Sequence, residues 1–217
     1  AAGNVGLQVF AMFAGHEEEG RNFARARRML AAMREFPIPL LAGSLPDAPP
    51  ETPHAVLSIE GGDVLEGSLE RLAELDDLAR IRMIALTWNF ENEIGRPASG
   101  GSNEGLKPFG FELLREMDGR GILADVSHLN EAGFWDAVER AALPPVASHS
   151  NCRWLADVPR NLKKEQARAL IRRGGFIGIN FYSNFLADGR DATLEDVVRH
   201  IDELMEPTSF IGRAPEQ

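Results

Sequence analysis

The stretch Ile122-Leu-Ala-Asp-Val-Ser-His128 is followed along the chain by Pro145-Val-Ala-Ser-His-Ser150. Both are short apolar runs that end in a Ser-His step, and such runs are typical of strands buried on both faces of a parallel sheet. Because the carboxyl ends of parallel strands meet at one edge of a sheet, we expect His128 and His149 to lie close together. One histidine at a strand end is more often a hydrogen-bonded structural residue than a metal ligand. A matched pair, with a third strand ending in Ser58-Ile-Glu60, favours a metal site, since imidazole and carboxylate are the usual zinc ligands.

The same kind of apolar run recurs along the chain and alternates with segments of helical periodicity. The predicted strands span residues 5–14, 54–59, 83–87, 122–126, 145–148 and 176–181. This alternation predicts one α/β domain over residues 1–217, with a mainly parallel sheet that is either doubly wound or closed into a barrel. No Gly-x-Gly-x-x-Gly or phosphate-loop pattern occurs, and the polar residues gather where strands end. These two features favour a TIM-like (β/α)8 barrel.

Several helix ends can be predicted from their capping residues. Asn130 and Asn161 are expected to cap the helices that follow them, and Gly174-Gly175 should end the second of these. Thr193 with Asp196 predicts a capping box at the start of the last helix. That helix has one apolar stripe, formed by Leu194, Val197, Val198, Ile201, Leu204 and Met205.

Two stretches rich in turn-forming residues interrupt the alternation. Residues 36–52 are rich in proline and are interpreted as a surface connection. Residues 96–107 are rich in Gly, Ser and Asn and come just after a predicted strand. We expect this second stretch to form a mobile loop over a pocket.

Charge and cysteine content restrict the partners and the compartment. The formal net charge of −10 argues against a nucleic-acid or anionic-membrane surface, because both require basic patches. The single cysteine, Cys152, is interpreted as a small buried residue; it rules out an internal disulfide and suits the reducing cytoplasm. No apolar run reaches the roughly 18 residues of a membrane helix. The first residues lack the pattern of a signal peptide and read as a strand already under way, so we expect an incomplete chain.

Other residues near the two histidines are set aside as ligands or nucleophiles. Asp125 lies three residues before His128, an odd spacing that places the two on opposite faces of a strand, so we expect only a supporting contact. Ser148 and His149 are adjacent, and the same alternation predicts that they cannot act as nucleophile and base. His16, His54 and His200 are interpreted as structural or solvated residues.

Taken together, the motifs resemble those of the membrane dipeptidase (renal dipeptidase) family of zinc metallopeptidases, over residues 1 to about 205. The motifs are Ser58-Ile-Glu-Gly-Gly62, Leu86-Thr-Trp-Asn-Phe-Glu-Asn92, Asp125-Val-Ser-His128, Ser148-His-Ser150, Arg160-Asn161 and Gly175-Phe-Ile-Gly-Ile-Asn-Phe-Tyr182. The resemblance implies a distorted (β/α)8 barrel with two zinc ions, which hydrolyses dipeptides by means of a metal-bridging hydroxide.

The resemblance also implies a role for each matching residue. Glu60 would bridge both metals and be catalytic, and His128 and His149 would complete the second zinc site. Arg160 would bind the substrate's terminal carboxylate, and Tyr182 would line the pocket. Asn161 and Trp88 are the remaining candidate substrate-binding residues, with Trp88 standing where the animal members carry a histidine.

Two ligand motifs of the family do not occur in these 217 residues: the His-x-Asp of the first strand and the Asp of the last strand. We therefore expect a barrel that lacks its first and last strands and holds only the second zinc and the bridging ligand of the first. The sheet edges left open would favour pairing with other chains, so a homo-oligomer is a further expectation.

Two alternatives stay open. The barrel could act on another amide or ester, as in the wider amidohydrolase-like group, or it could be a truncated barrel that binds zinc or a partner without catalysis. Zinc is inferred from ligand type, and manganese or iron would suit nearly the same ligands.

Overall fold

The computed structural model describes residues 5–15, 21–41 and 52–206. Strands and helices alternate through most of this part of the chain, as the sequence predicts. The elements are β1 (Leu7–Met12), α1 (Asn22–Met33), β2 (His54–Glu60), α2 (Leu69–Ala79), β3 (Ile81–Ala85), α3 (Pro108–Arg120), β4 (Leu123–Asp125), α4 (Glu131–Arg140), α5 (Lys164–Arg172), α6 (Ser183–Leu186) and α7 (Leu194–Met205), with short 3-10 turns at Gly62–Leu65 and Ala98–Gly100.

The four strands form one parallel sheet in the order β1-β2-β3-β4. Two isolated parallel bridges extend it, from Asp125 to Val146 and from Ala147 to Ile177. Neighbours in space are therefore consecutive along the chain, as in the wall of a (β/α) barrel. The reversal of strand order that defines a doubly wound sheet does not occur within the described residues.

The predicted strands at 145–148 and 176–181 form only these single bridges, because side chains replace part of the expected ladder. Pro145 has no N–H to donate, and the N–H of Ser148 donates to the carboxylate of Asp125 at 3.0 Å. Farther along, the side-chain amide of Asn151 donates to the backbone oxygen of Asn180 and accepts from its N–H. The chain stays extended at both places without forming a regular strand.

The core lies between the sheet and the helices that follow each strand. Its apolar side chains come from the buried positions of β2 and β3 and from the inner faces of α1 to α4. The largest that are fully buried include Leu30, Leu57, Ile59, Leu72, Leu75, Ile84, Leu113 and Phe134.

The last helix, α7, begins as predicted but packs through an unexpected face. Thr193 and Asp196 form the predicted capping box. The apolar stripe is largely exposed, however, with Leu194 at 78 % and Met205 at 74 %. The helix packs against the rest of the protein through His200, which is completely buried. Its Nδ1 accepts from the N–H of Cys152 at 3.0 Å, and its Nε2 donates to the backbone oxygen of Leu186 at 3.1 Å.

Of the two predicted asparagine caps, one is confirmed and one is wrong. The side chain of Asn130 accepts from the N–H of Gly133 at 2.9 Å at the start of α4. At α5 the capping residue is Lys163. Asn161 instead donates to the backbone oxygens of Ala156 and Phe185, because the irregular chain on either side needs a donor there.

Several further expectations can be compared with the structure. Cys152 is buried, as expected. No helix in the described parts of the chain is long and apolar enough to cross a membrane. His16 and most of residues 36–52 lie outside the described residues.

Candidate metal centre

Three potential ligands meet at the carboxyl end of the sheet. Glu60 is the last residue of β2, His128 lies just beyond β4, and His149 follows the extended segment beside it. Oε1 of Glu60 lies 3.2 Å from Nε2 of His128 and 3.5 Å from Nε2 of His149. The two Nε2 atoms are 2.8 Å apart. The sequence-based prediction that these three side chains lie close together is therefore confirmed.

Two glycines after β2 allow the chain to turn beside the Glu60 carboxylate. Gly61 has a φ of +98°, a conformation that disfavours residues with a Cβ atom. A Cβ atom on Gly62 would lie 2.2 Å from Cδ1 of Ile94 and 3.0 Å from the backbone oxygen of Leu86. The chain therefore turns away from β2 in close contact with the segments that contain Leu86 and Ile94.

The amide of Asn89 orients the ring of His128. Oδ1 of Asn89 lies 3.0 Å from Nδ1 of His128, and an amide oxygen can only accept, so the proton of the neutral ring is on Nδ1. Burial lowers the pKa of His128, which favours this neutral form. The lone pair of Nε2 is consequently directed at Glu60 and His149.

Ser148 contacts the ring of His149. Its Oγ lies 2.6 Å from Nδ1 of His149 and 2.5 Å from Oδ2 of Asp125. The prediction that Ser148 and His149 must face apart is therefore wrong, because the alternation of a regular strand does not hold in this irregular segment. The expectation of a supporting contact from Asp125 is met.

The electrostatics of the cluster suit a cation. The close contacts with the imidazoles of His128 and His149 hold the pKa of the Glu60 carboxyl well below its ordinary range. Two neutral imidazoles and a carboxylate are the donor set of many zinc sites. The three ligand atoms all lie within 4.8 Å of one another, so a single ion can contact all of them.

Arg160 lies beside this cluster in a strongly buried position. Its Nη2 approaches the backbone oxygen of His149 at 3.4 Å, while its Nε and Nη1 have no hydrogen-bond partner. Burial lowers the pKa of Arg160 to about 10. The residue lines a cavity of about 280 Å³, together with Ala98 and the neighbouring residues 101–103. The loop 96–107 thus lies against a pocket, as predicted; its mobility stays a prediction.

The other predicted substrate-binding residues lie at different distances from the cluster. The ring of Trp88 is 6.3 Å from that of His128 and packs against Phe13 at 4.7 Å. Tyr182 is 56 % exposed and packs edge-on against Phe185. The amide of Asn161 is occupied by its backbone contacts, although its Oδ1 is buried without a partner.

Two further residues contribute to the site: Ser148, which was not predicted as a site residue, and Asn89, which was predicted to lie among the polar strand-end residues but without a role. Each is a polar residue in or next to a strand-end motif, and that proximity was the available signal. Whether such a residue contributes to the site depends on the direction of its side chain. Local periodicity does not predict that direction where the strand is irregular.

Comparisons with known proteins place the chain among metallopeptidase-like sequences. The sequence profile described as Membrane dipeptidase (Peptidase family M19) matches residues 1–208. A protein of Klebsiella pneumoniae, described as an uncharacterised protein in the pqqA 5′ region, is 39 % identical over 160 residues. That alignment covers 69 % of this chain and 59 % of the relative.

Two solved structures are similar over nearly the whole chain. A metallopeptidase from Rhodobacter sphaeroides, bound to a phosphinate mimic of the dipeptide L-Ala-D-Ala, is 26 % identical with a TM-score of 0.68. The match covers 94 % of this chain and 53 % of that one. The metallopeptidase called dipeptidase AC is 25 % identical with a TM-score of 0.79. That match covers 93 % of this chain and 68 % of the other one. The chain spans about half the length of the curated relatives it matches first, 59 % and 51 %.

Proposed function

The chain belongs to the membrane dipeptidase family, and from this premise we propose that the protein is a metal-dependent dipeptidase whose metal centre is held by Glu60, His128 and His149. The observation that carries the proposal is the meeting of these three side chains at one end of the sheet. Their residue types match a zinc donor set. The proposed architecture is a TIM-like (β/α)8 barrel, since the strand order follows the chain order.

The centre is proposed to hold two zinc ions, with Glu60 between them and both histidines on one. Zinc bound there would supply a hydroxide nucleophile at neutral pH and positive charge to stabilise the carbonyl oxygen of the peptide. Glu60 suits the bridging position because its carboxylate is ionised and partly exposed.

Arg160 is proposed to bind the terminal carboxylate of the dipeptide. It lies next to His149, and two of its N–H-bearing atoms have no partner. A buried guanidinium with unused donors is costly unless an anion completes it, and a carboxylate matches its planar geometry. Trp88 would then present an apolar wall beside His128, with Tyr182 and Asn161 as the remaining candidates for substrate contact.

A second candidate function is hydrolysis of another amide or ester at the same centre. The position of Trp88 favours it, because an aromatic ring lies near His128 where the animal dipeptidases carry a histidine. The two candidate functions differ in one requirement: a dipeptide substrate needs a free terminal carboxylate, and another amide or ester does not. With either function, we propose that the protein is located in the cytoplasm and assembles into a homo-oligomer.

Activity of the protein expressed from its complete gene tests the proposal. With zinc present, we expect hydrolysis of Xaa-D-Ala or Xaa-Gly dipeptides, and loss of that hydrolysis on Glu60→Gln, which keeps the shape but removes the charge. Glu112→Gln, at an exposed position on α3, is the matched control and should retain activity. Absence of hydrolysis with zinc bound, or full activity of Glu60→Gln, would overturn the proposal.

A further inference from the structure

Asp125 and Ser148 form a chain of hydrogen bonds that ends on His149. Oδ2 of Asp125 lies 2.5 Å from Oγ of Ser148, and that Oγ lies 2.6 Å from Nδ1 of His149. Asp125 is 3 % exposed. Within the described residues, neither Asp125 nor Ser148 has a hydrogen bond to Glu60 or His128, whereas Ser148 contacts the ring of His149 directly.

The direction of the hydrogen bonds follows from what each group can donate. A carboxylate only accepts, and the hydroxyl of Ser148 has a single proton, so that proton is directed to Asp125. The Oγ of Ser148 must then accept from His149, which places the ring proton on Nδ1. Nε2 of His149 is left with its lone pair, and it is this atom that lies 3.5 Å from Oε1 of Glu60.

Further contacts hold Asp125 and Ser148 in place. Oδ1 of Asp125 accepts from the hydroxyl of Ser127 at 2.6 Å and from the N–H of Ser148 at 3.0 Å. The hydroxyl of Ser127 in turn accepts from the N–H of His149 at 3.1 Å. The Asp125 carboxylate at the end of β4 therefore holds the backbone N–H of Ser148 directly and that of His149 through the hydroxyl of Ser127.

We propose that Asp125, acting through Ser148, is a positioning residue that fixes the tautomer of His149 so that its Nε2 can bind the metal. This inference rests on the proposed metal centre and assigns to it a support that does not touch the ion. Such outer hydrogen bonds typically change metal affinity by about 10- to 100-fold. Asn89 serves His128 in the corresponding way, through a side-chain amide.

Asp125→Asn gives the sharpest test, because the amide is nearly the same size as the carboxylate. With its NH2 directed at Ser148, the amide donates to Oγ, and the serine proton turns to Nδ1 of His149. The preferred tautomer is then reversed, with the proton on Nε2. Ser148→Ala removes the acceptor without supplying a donor, so a mixture of tautomers is expected. Ser150→Ala is the matched control, since the Ser150 hydroxyl is buried without a hydrogen-bond partner on the other side of His149.

Two measurements on the complete protein decide the matter. Histidine-selective 15N NMR of the metal-free protein reports which ring nitrogen of His149 carries the proton. Competition with a chromogenic chelator gives the affinity for Zn²⁺. We expect the proton on Nδ1 in the wild type and the Ser150→Ala variant. In Asp125→Asn and Ser148→Ala we expect an altered tautomer and zinc affinity lower by about 10- to 100-fold.

The outcomes separate this inference from the proposed function. An unchanged tautomer in both variants, or unchanged zinc affinity in both, would overturn the positioning role even if the protein binds zinc. Failure of the wild type to bind zinc would instead contradict the proposed metal centre. If Asp125→Asn does not fold, as judged by circular dichroism, Ser148→Ala carries the same test.

Discussion

Nε2 of His128 and Nε2 of His149 lie 2.8 Å apart, closer than two unprotonated ring nitrogens can approach without repulsion. Both rings have their other nitrogen occupied, by Asn89 in one case and Ser148 in the other. A proton or a metal cation between the two lone pairs removes the repulsion. With the Glu60 carboxylate on the same side, the pair provides the donor set of the proposed cation site.

Replacing Arg160 with methionine tests the recognition of a free carboxylate. Charge-assisted hydrogen bonds contribute about 1.5–3 kcal/mol each, so we expect kcat/KM for a dipeptide to fall by about 10- to 100-fold. Hydrolysis of the same dipeptide with its carboxyl group blocked as an amide should change little. Arg153→Met is the control, since Arg153 lines the same cavity but is paired with Asp157. Equal loss on both substrates would argue against carboxylate binding by Arg160, and no loss on either would favour the alternative substrate.

Protonation of His200 should weaken the attachment of α7. Burial lowers the pKa of His200 below its ordinary value of 6.5. Below that pH the unfolded chain therefore binds more protons than the folded one, and the free energy of unfolding falls as the pH drops. The stabilising contribution of neutral His200 is complete above pH 6.5 and is lost as the pH falls through the lowered pKa of His200 in the folded protein.

Chemical unfolding measured between pH 5 and 8 checks this expectation. His200→Gln removes the titrating group, and it should flatten the dependence of stability on pH relative to the wild type. Contributions from other histidines are common to both proteins and cancel in the comparison. Identical pH profiles would show that His200 does not couple protonation to folding.

Asn161→Ala should destabilise the fold. The amide of Asn161 donates to the backbone oxygens of Ala156 and Phe185, and alanine leaves both without this donor. Loss of buried hydrogen-bond partners costs about 1–3 kcal/mol, which urea unfolding can measure. Asn184→Ala, at an exposed position, should cost less than about 0.5 kcal/mol. Equal stability of the two variants would mean that the contacts of Asn161 are unimportant for folding.

The sequence was informative wherever structure follows from local periodicity. Strands β2 to β4 and the helices around them are regular, so their apolar patterns predict both the elements and the edge at which Glu60, His128 and His149 meet. Polar residues at the carboxyl ends of consecutive parallel strands must come together whatever the details of packing. This explains why the three proposed ligands could be identified without the structure.

The remaining features depend on interactions between distant segments. Ser148 reaches His149 only because Asp125 replaces a neighbouring strand as hydrogen-bond acceptor. The buried face of α7 is set by the contacts of His200 with Cys152 and Leu186, and these outweigh an apolar stripe that stays exposed. Neither arrangement has a periodic signature, so neither could be predicted from the sequence.

Zinc titration of the metal-free protein, expressed from its complete gene, tests the central claim most directly. We expect His128→Ala and His149→Ala each to weaken zinc binding by more than about 100-fold, since losing a ligand costs more than losing an outer hydrogen bond. His54→Ala is the matched control, because His54 lies at the opposite end of β2 and contacts the backbone oxygen of Thr52; its affinity for zinc should equal that of the wild type. A wild type that does not bind zinc, or one whose zinc affinity survives both substitutions unchanged, would contradict the claim that these histidines form a metal centre.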